Sequence, residues 1–135
     1  MVKCAKMLIY FAGERETFGK DSEAAMALSL GKPVIIYCPA TPEGERRMRF
    51  FRDLHPLSRL IDIQSGIAVG AIITNRIDHV VELVRRVFAN EMEYDLSQRD
   101  GYFKLKERLT QSVVRLQTNS RLIRESFWNY YHGTP

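Results

Sequence analysis

The chain has 135 residues, with 20 lysines and arginines against 16 aspartates and glutamates, which gives a formal charge of +4. This length predicts one domain that folds without disulfides or metals. The 45% hydrophobic share disfavours a disordered chain, and no apolar run reaches the ~20 residues of a membrane span. Because Cys4 and Cys38 have neither metal-binding nor disulfide-framework spacing, we expect reduced thiols, a cytoplasmic location and no metal or cofactor.

The first predicted elements are a strand and a helix. Residues 7–12 (MLIYFA) form an apolar run without polar alternation, which is typical of a strand covered on both faces. Asp21 or Ser22 is the expected N-cap of a helix that runs to about Leu30. Gly31 suits the position just after that helix, and a proline two residues later bars its continuation.

Two further strand–helix pairs follow. Residues 34–38 (VIIYC) predict a second buried strand, and a helix is expected over roughly 43–54. Residues 67–74 are a third apolar run whose β-branched content favours a strand. The clearest amphipathic helix comes next, with apolar side chains at Ile77, Val80, Val81, Val84, Phe88 and Met92.

The strand–helix alternation predicts a small three-layer α/β domain over residues 1–100, with a short, mostly parallel sheet. Residues 101–135 have a less regular pattern. Apolar positions between Tyr102 and Leu116 support a helix, although residues 113–116 equally fit a short strand. We predict a mainly helical C-terminal extension that packs on the same domain or on a partner subunit.

One segment has a pattern that suggests chemistry. Gly19, Glu23, Ala27 and Gly31 recur every four residues, so they lie along one face of a helix. Gly19 permits a tight turn and the close approach of a ligand. Glu23 is expected at the start of this helix, beyond the carboxyl end of strand 7–12, which is the edge where ligands bind in open α/β sheets.

This arrangement, Gly-x-x-x-Glu, then Ala, then Gly-Lys-Pro-Val-Ile, resembles nucleoside 2-deoxyribosyltransferases and NAD-hydrolysing Toll/interleukin-1 receptor (TIR) domains. The resemblance covers about residues 7–38, and Thr17 and Lys20 depart from the transferase pattern. It implies a flavodoxin- or Rossmann-like sheet that lacks the first strand–helix unit. It also implies that Glu23 attacks or stabilises the anomeric carbon while the base leaves, which is chemistry that a carboxylate supports.

The resemblance therefore implies a protein that handles a nucleoside or a nucleotide such as NAD, and that cleaves or transfers an N-glycosidic bond. Gly19 and Ser22 are expected to shape the sugar site. Tyr10 or Tyr37 is expected near the base, and Asp62 is a candidate to bind hydroxyl groups.

Each candidate also has a purely structural explanation. An acidic residue such as Glu23 suits a first helical turn because of the helix dipole, and Asp62 suits a turn. The arginines of residues 46–52 either contact nucleic acid or face solvent on an amphipathic helix. The aromatic residues within 127–131 either stack on bases or anchor the C-terminus or a partner subunit.

Two other functions therefore stand beside the enzymatic one. The first is a non-catalytic, homo-oligomeric interaction domain, because a homodimer would cover the edge of a narrow three-stranded sheet. The second is nucleic-acid binding through residues 46–52 and 101–131. It is less favoured because the basic excess is small and is split by an acidic middle segment.

Overall fold

The computed structural model describes residues 1–13, 18–53, 71–99, 102–116, 121, 122 and 125. The strands are β1 (Leu8–Phe11), β2 (Val34–Tyr37), β3 (Ala71–Thr74), β4 (Tyr94–Arg99), β5 (Tyr102–Glu107) and β6 (Val113–Leu116). The helices are α1 (Phe18–Ser29), α2 (Pro42–Asp53) and α3 (Ile77–Ala89), preceded by a short 3-10 turn at Val2–Cys4. Strands β1, β2 and β3 form a parallel sheet in that order, and β4, β5 and β6 form an antiparallel one. The expected α/β class is confirmed.

The helices cover both faces of the parallel sheet. Ile36 and Ile73 belong to the cluster that contains the buried side chains of α1 and α2. Ile35 and Ile72 point to the opposite face, because successive strand residues alternate, and there they pack with Leu83 of α3. Strand β2 is therefore buried on both faces, which explains why its sequence is apolar without alternation.

Helix α1 begins earlier than predicted. It starts at Phe18, ahead of the Asp21 and Ser22 caps expected from the sequence. Asp21 does not cap the helix, because its carboxylate accepts a hydrogen bond of 2.6 Å from the Tyr10 hydroxyl of β1. The C-terminus agrees with the prediction, since Gly31 adopts a φ of 71° that glycine tolerates best.

Helix α2 matches its predicted span to within a residue at each end. Phe51 is fully buried and Met48 packs against the same core, whereas Arg46, Arg49 and Arg52 are exposed. The arginine-rich segment is therefore an amphipathic helix that exposes these three arginines, while the Arg47 guanidinium lies over the Phe51 ring, 4.9 Å from its centre.

The C-terminal third differs from the prediction. Strands β4, β5 and β6 form an antiparallel meander, so the expected helical extension is wrong over 102–116. The strand alternative for residues 113–116 is confirmed. The pattern is hard to recognise in the sequence because Glu107, a charged residue, occupies an inward position and is fully buried. Residues 121, 122 and 125 are helical, and the aromatic segment 127–131 lies outside the described residues.

Helix α3 confirms the amphipathic prediction. It ends at Ala89, followed by Asn90 in the left-handed conformation, and Met92 still packs against the cluster around Leu83. In the part of the chain that the structure describes, no helix combines the length and apolar character needed to cross a bilayer.

Candidate functional site

A cavity of about 240 Å³ lies at the carboxyl ends of β1 and β2. Loops and helix starts converge at this edge of a parallel sheet, and ligands bind there in other α/β folds. The described wall comes from the end of β1 and from the segment that leads into α2, and it consists of Phe11, Ala12, Gly13, Pro39, Thr41, Glu43 and Gly44.

The start of α2 is fixed by local sequence. The Thr41 hydroxyl oxygen accepts a hydrogen bond of 3.1 Å from the Gly44 backbone N–H, and the Thr41 carbonyl accepts one of 2.8 Å from Glu45. Thr41 is thus the N-cap, and Pro42 occupies the first helical position, where the missing N–H costs nothing.

Gly44 brings this first turn close to the preceding loop. A Cβ atom at Gly44 would lie 1.6 Å from the carbonyl oxygen of Pro39, a distance that no pair of non-bonded atoms can adopt. The same Pro39 oxygen accepts a hydrogen bond from the Thr41 N–H at 2.8 Å, so the loop is held in place. This wall of the cavity therefore requires glycine at position 44.

The residues that line the cavity include an aromatic one, Phe11, and an acidic one, Glu43. Phe11 is 53% exposed, and its ring packs on that of Tyr37 with centroids 5.6 Å apart. The Lys20 ammonium donates to the Phe11 carbonyl at 3.0 Å. Glu43 forms a solvent-exposed ion pair with Arg46 at 3.6 Å. Such pairs contribute little stability, so the Glu43 carboxylate can exchange this partner for a ligand.

Glu23 occupies a different place from the one expected. It is exposed in the second turn of α1, rather than at the helix start, because the helix begins at Phe18. It is not part of the described cavity wall. Gly19 and Ser22 are also exposed, and the space around Gly19 is open. Among the described residues, the structure does not bring these three together with the cavity.

The remaining predicted site residues are Tyr10, Tyr37 and Asp62. Tyr10 is buried, donates its hydroxyl hydrogen bond to Asp21 and packs edge-on against Phe51 at 5.5 Å. Tyr37 is partly buried, its ring packs on that of Phe11, and it is not among the residues that line the described cavity wall. Asp62 lies outside the described residues.

The site residues predicted from the sequence do not include Thr41, Glu43 and Gly44. A local signal was available, because Thr-Pro after a buried strand is a strong helix-start signature, and helix starts that follow strands lie at the ligand edge. The neighbouring Cys38 is buried, and burial raises the pKa of its thiol to about 11. This thiol is therefore neutral at physiological pH and is a poor nucleophile.

Within the described residues, no group of three or more His, Cys, Asp and Glu side chains is placed to hold a metal ion. Comparisons with protein-family models, with curated proteins and with solved structures found no significant match.

Proposed function

We propose that the cavity at the ends of β1 and β2 binds a nucleoside, and that the protein cleaves or transfers the N-glycosidic bond of that nucleoside. The observation that carries the proposal is that an aromatic residue, Phe11, and an acidic residue, Glu43, line the same cavity. Its volume of about 240 Å³ is below the roughly 300 Å³ at which sites for drug-sized ligands begin. A single nucleoside suits this space better than a dinucleotide such as NAD.

Phe11 and Glu43 have complementary roles in this proposal. The exposed ring of Phe11 offers a stacking surface for the base, and such stacking contributes about 1–3 kcal/mol. The ring of Tyr37 packs against that of Phe11, with centroids 5.6 Å apart. The carboxylate of Glu43 faces the sugar, where it accepts hydrogen bonds from hydroxyl groups or reaches the anomeric carbon.

The reaction needs one carboxylate next to C1′. The carboxylate attacks C1′, the C1′–N bond breaks, and its electron pair leaves with the base, which takes up a proton. Water or a second base then displaces the carboxylate from the sugar. We assign this carboxylate to Glu43 because it lies in the cavity wall, whereas the sequence resemblance implies Glu23.

Base release from a panel of ribonucleosides, deoxyribonucleosides and NAD, followed by chromatography, tests the assignment. We expect Glu43→Gln to lower the rate at least 100-fold, within the usual range for loss of a catalytic carboxylate. Glu45→Gln in the same helical turn is the matched control and should retain activity. If Glu23→Gln loses most of its activity and Glu43→Gln keeps it, the attacking carboxylate is Glu23 and the assignment to Glu43 is wrong. If the wild-type protein releases no base and shows no thermal shift with any nucleoside, the proposed function is wrong.

A second candidate function is self-association, and an exposed apolar surface favours it. Ile9 and Phe11 of β1 are 50% and 53% exposed, although they share a sheet face that α3 covers at β2 and β3. Val81 and Phe88 on α3 are also exposed, at 64% and 60%, and the Lys6 ammonium just before β1 lies 5.0 Å from the centre of the Phe88 ring. Large exposed apolar side chains such as these often take part in protein interfaces.

Light scattering tests this second candidate. We expect a dimer that Val81→Lys converts to monomer, because a charge at the centre of an apolar interface is left without a partner. Met26→Lys is the matched control, since Met26 is 47% exposed on α1, the helix of the opposite sheet face. A monomeric wild-type protein, or a dimer that Val81→Lys leaves intact, contradicts the assignment of this surface.

A further inference from the structure

Strand β1 directs part of its backbone away from the parallel sheet. The Leu8 N–H donates to the Pro33 carbonyl at 3.0 Å, so Leu8 faces the chain of β2. Because successive residues of a strand direct their N–H and C=O groups to opposite sides, those of Ile9 and Phe11 point away from β2. Among the described strands, β2 is the one that pairs with β1. The outer side of β1 therefore offers two alternate residues for pairing with a further strand.

The two edges of the parallel sheet differ in how they are covered. At β3, the Ser112 hydroxyl engages both outward backbone groups of Ile73, since it accepts from the N–H at 2.9 Å and donates to the carbonyl at 3.2 Å. At β1, the Lys20 ammonium donates to the Phe11 carbonyl at 3.0 Å, and a carbonyl oxygen can accept a second hydrogen bond. In the described part of the chain, β1 is therefore the edge that can accept another strand.

The outward-facing residues of β1 also have side chains that suit strand pairing. Ile9 and Phe11 are 50% and 53% exposed. Ile9 lies beside Ile35 in the strand register, on the sheet face where Ile35 packs with α3. Unpaired edge strands commonly carry charged residues or proline, whereas β1 presents a β-branched and an aromatic residue at these positions. Side chains of these two kinds stabilise neighbouring strands when they lie opposite each other.

We propose that β1 pairs with β1 of a second copy of the chain, antiparallel and about a two-fold axis at Tyr10. The two parallel sheets then form one continuous sheet. This inference rests on the self-association proposed above and states how that dimer is built. A two-fold interface joins residue i to j and j to i, which an antiparallel strand pair fulfils. With the axis at Tyr10, Ile9 lies opposite Phe11 of the second copy, and their outward N–H and C=O groups exchange hydrogen bonds.

Charge complementarity supports the antiparallel direction. The start of one β1 is then placed beside the carboxyl end of the other. The exposed residue Lys6, two positions before β1, thereby lies next to Gly13 of the second copy. Gly13 lines the cavity together with the exposed acidic residue Glu43. Residues of opposite charge therefore approach each other at both ends of the strand pair, an arrangement that favours this orientation over others.

Disulfide cross-linking between two variants tests the pairing. Both are made in a Cys4→Ser background, because Cys4 is exposed and Cys38 is buried. The Cα atoms of position 9 and of position 11 in the second copy should be about 5.5 Å apart, within the reach of a disulfide. Two positions 9, or two positions 11, are about 8 Å or more apart. With oxidised glutathione, a mixture of Ile9→Cys and Phe11→Cys should therefore cross-link at least about tenfold faster than either protein by itself.

A proline substitution tests the backbone contribution. Ile9→Pro removes the outward N–H but no hydrogen bond to β2, and edge strands tolerate proline where the N–H faces outward. We expect the dissociation constant of the dimer to rise at least about tenfold in light scattering, the equivalent of one lost hydrogen bond at each of two symmetric positions. The far-UV circular dichroism should not change. Ile9→Val keeps both the N–H and the β-branch, so this matched control should dimerise as the wild-type protein does.

The outcomes separate this pairing from the self-association on which it rests. A monomeric wild-type protein contradicts both. A dimer that does not form the mixed disulfide faster, and that Ile9→Pro leaves intact, overturns the strand pairing alone and leaves the exposed side chains of α3 as the interface. Fast cross-linking of Ile9→Cys with itself overturns the proposed register. Base release by the cavity is measured independently of all these variants.

Discussion

Replacing Gly44 by alanine should destabilise the protein by about 2 kcal/mol or more, although the same change in an ordinary helix is stabilising. Helix propensity favours alanine by about 1 kcal/mol. Against this, the new Cβ would lie 1.6 Å from the Pro39 carbonyl oxygen and 2.7 Å from its carbon. Both atoms belong to the backbone, so α2 or the loop must move, and such overpacking costs about 1–3 kcal/mol and sometimes more. The steric cost therefore exceeds the gain in propensity.

Urea denaturation measures this difference in the free energy of unfolding. Gly19→Ala is the matched control, because Gly19 lies in α1, is exposed and has open space where the Cβ would be. We expect it to stabilise the protein by about 0.5–1 kcal/mol, so the two substitutions should have opposite signs. Stabilisation by both would show that α2 does not approach Pro39 as closely as described. Because Gly44 and Pro39 line the cavity, Gly44→Ala should also weaken nucleoside binding.

The elements of the parallel sheet could be predicted because each carries its own local signature. Strand β2 is buried on both faces, so its sequence is uniformly apolar. Helix α3 buries one stripe, so its apolar residues recur at helical spacing. The start of α1 could not be located in this way. Asp21 is a good N-cap in isolation, but the buried hydroxyl of Tyr10 engages it, and that partner is distant in sequence.

The cavity depends on information that no local pattern contains. Thr41 and Pro42 identify the start of a helix, but they do not reveal that its first turn lies against Pro39 and opposite Phe11. Glu23 has the favourable local pattern, yet on α1 it does not line the described cavity wall, whereas Glu43 does. The difference between Glu23 and Glu43 is one of helix placement relative to the sheet edge, which is set by packing across the whole domain.

The antiparallel meander could not be predicted from its sequence either, because a charged residue occupies an inward-facing position of β5. Glu107 is an inward-facing residue of β5 with no exposed surface. Its carboxylate accepts hydrogen bonds from the Leu109 N–H at 2.8 Å, from the Thr110 N–H at 2.6 Å and from the Thr110 hydroxyl at 2.7 Å. The charged group thereby organises the whole turn between β5 and β6, which compensates for its burial.

Glu107→Ala should be the most destabilising of the substitutions considered, by about 3–5 kcal/mol, because two buried donors of Thr110 and the partly buried Leu109 N–H lose the carboxylate that accepts their hydrogen bonds. Glu107→Gln should cost less, about 1–3 kcal/mol, since one oxygen remains and the new amide group faces a donor. Glu93→Ala is the control: this carboxylate is 54% exposed and pairs with Arg108 at 3.3 Å, so its loss should change stability by less than about 1 kcal/mol. Equal effects of Glu107→Ala and Glu93→Ala would show that the turn does not depend on the buried carboxylate.

The Glu107 turn also protects the edge of the parallel sheet. The Cys38 backbone N–H donates a hydrogen bond to the Thr74 carbonyl. The backbone N–H and C=O of Thr74 therefore point towards β2, and those of the preceding Ile73 point away from it. The Ser112 hydroxyl oxygen accepts a hydrogen bond from the Ile73 N–H at 2.9 Å and donates to the Ile73 carbonyl at 3.2 Å. One side chain thus takes the place of a neighbouring strand along β3, and an uncovered strand edge invites pairing with other chains.

Hydrogen exchange at the Ile73 amide separates this role from a general loss of stability. Ser112 Oγ lies 2.8 Å from Thr110 Oγ1, so the hydroxyl that covers β3 is positioned by the network that Glu107 holds. We therefore expect fast exchange of the Ile73 amide in Ser112→Ala and in Glu107→Gln, while the amide of Ile36 in the central strand stays protected. If the Ile73 amide stays protected in both variants, another group covers β3. If both amides lose protection equally, the two sheets unfold as one unit, and Ser112 stabilises the whole domain rather than one edge.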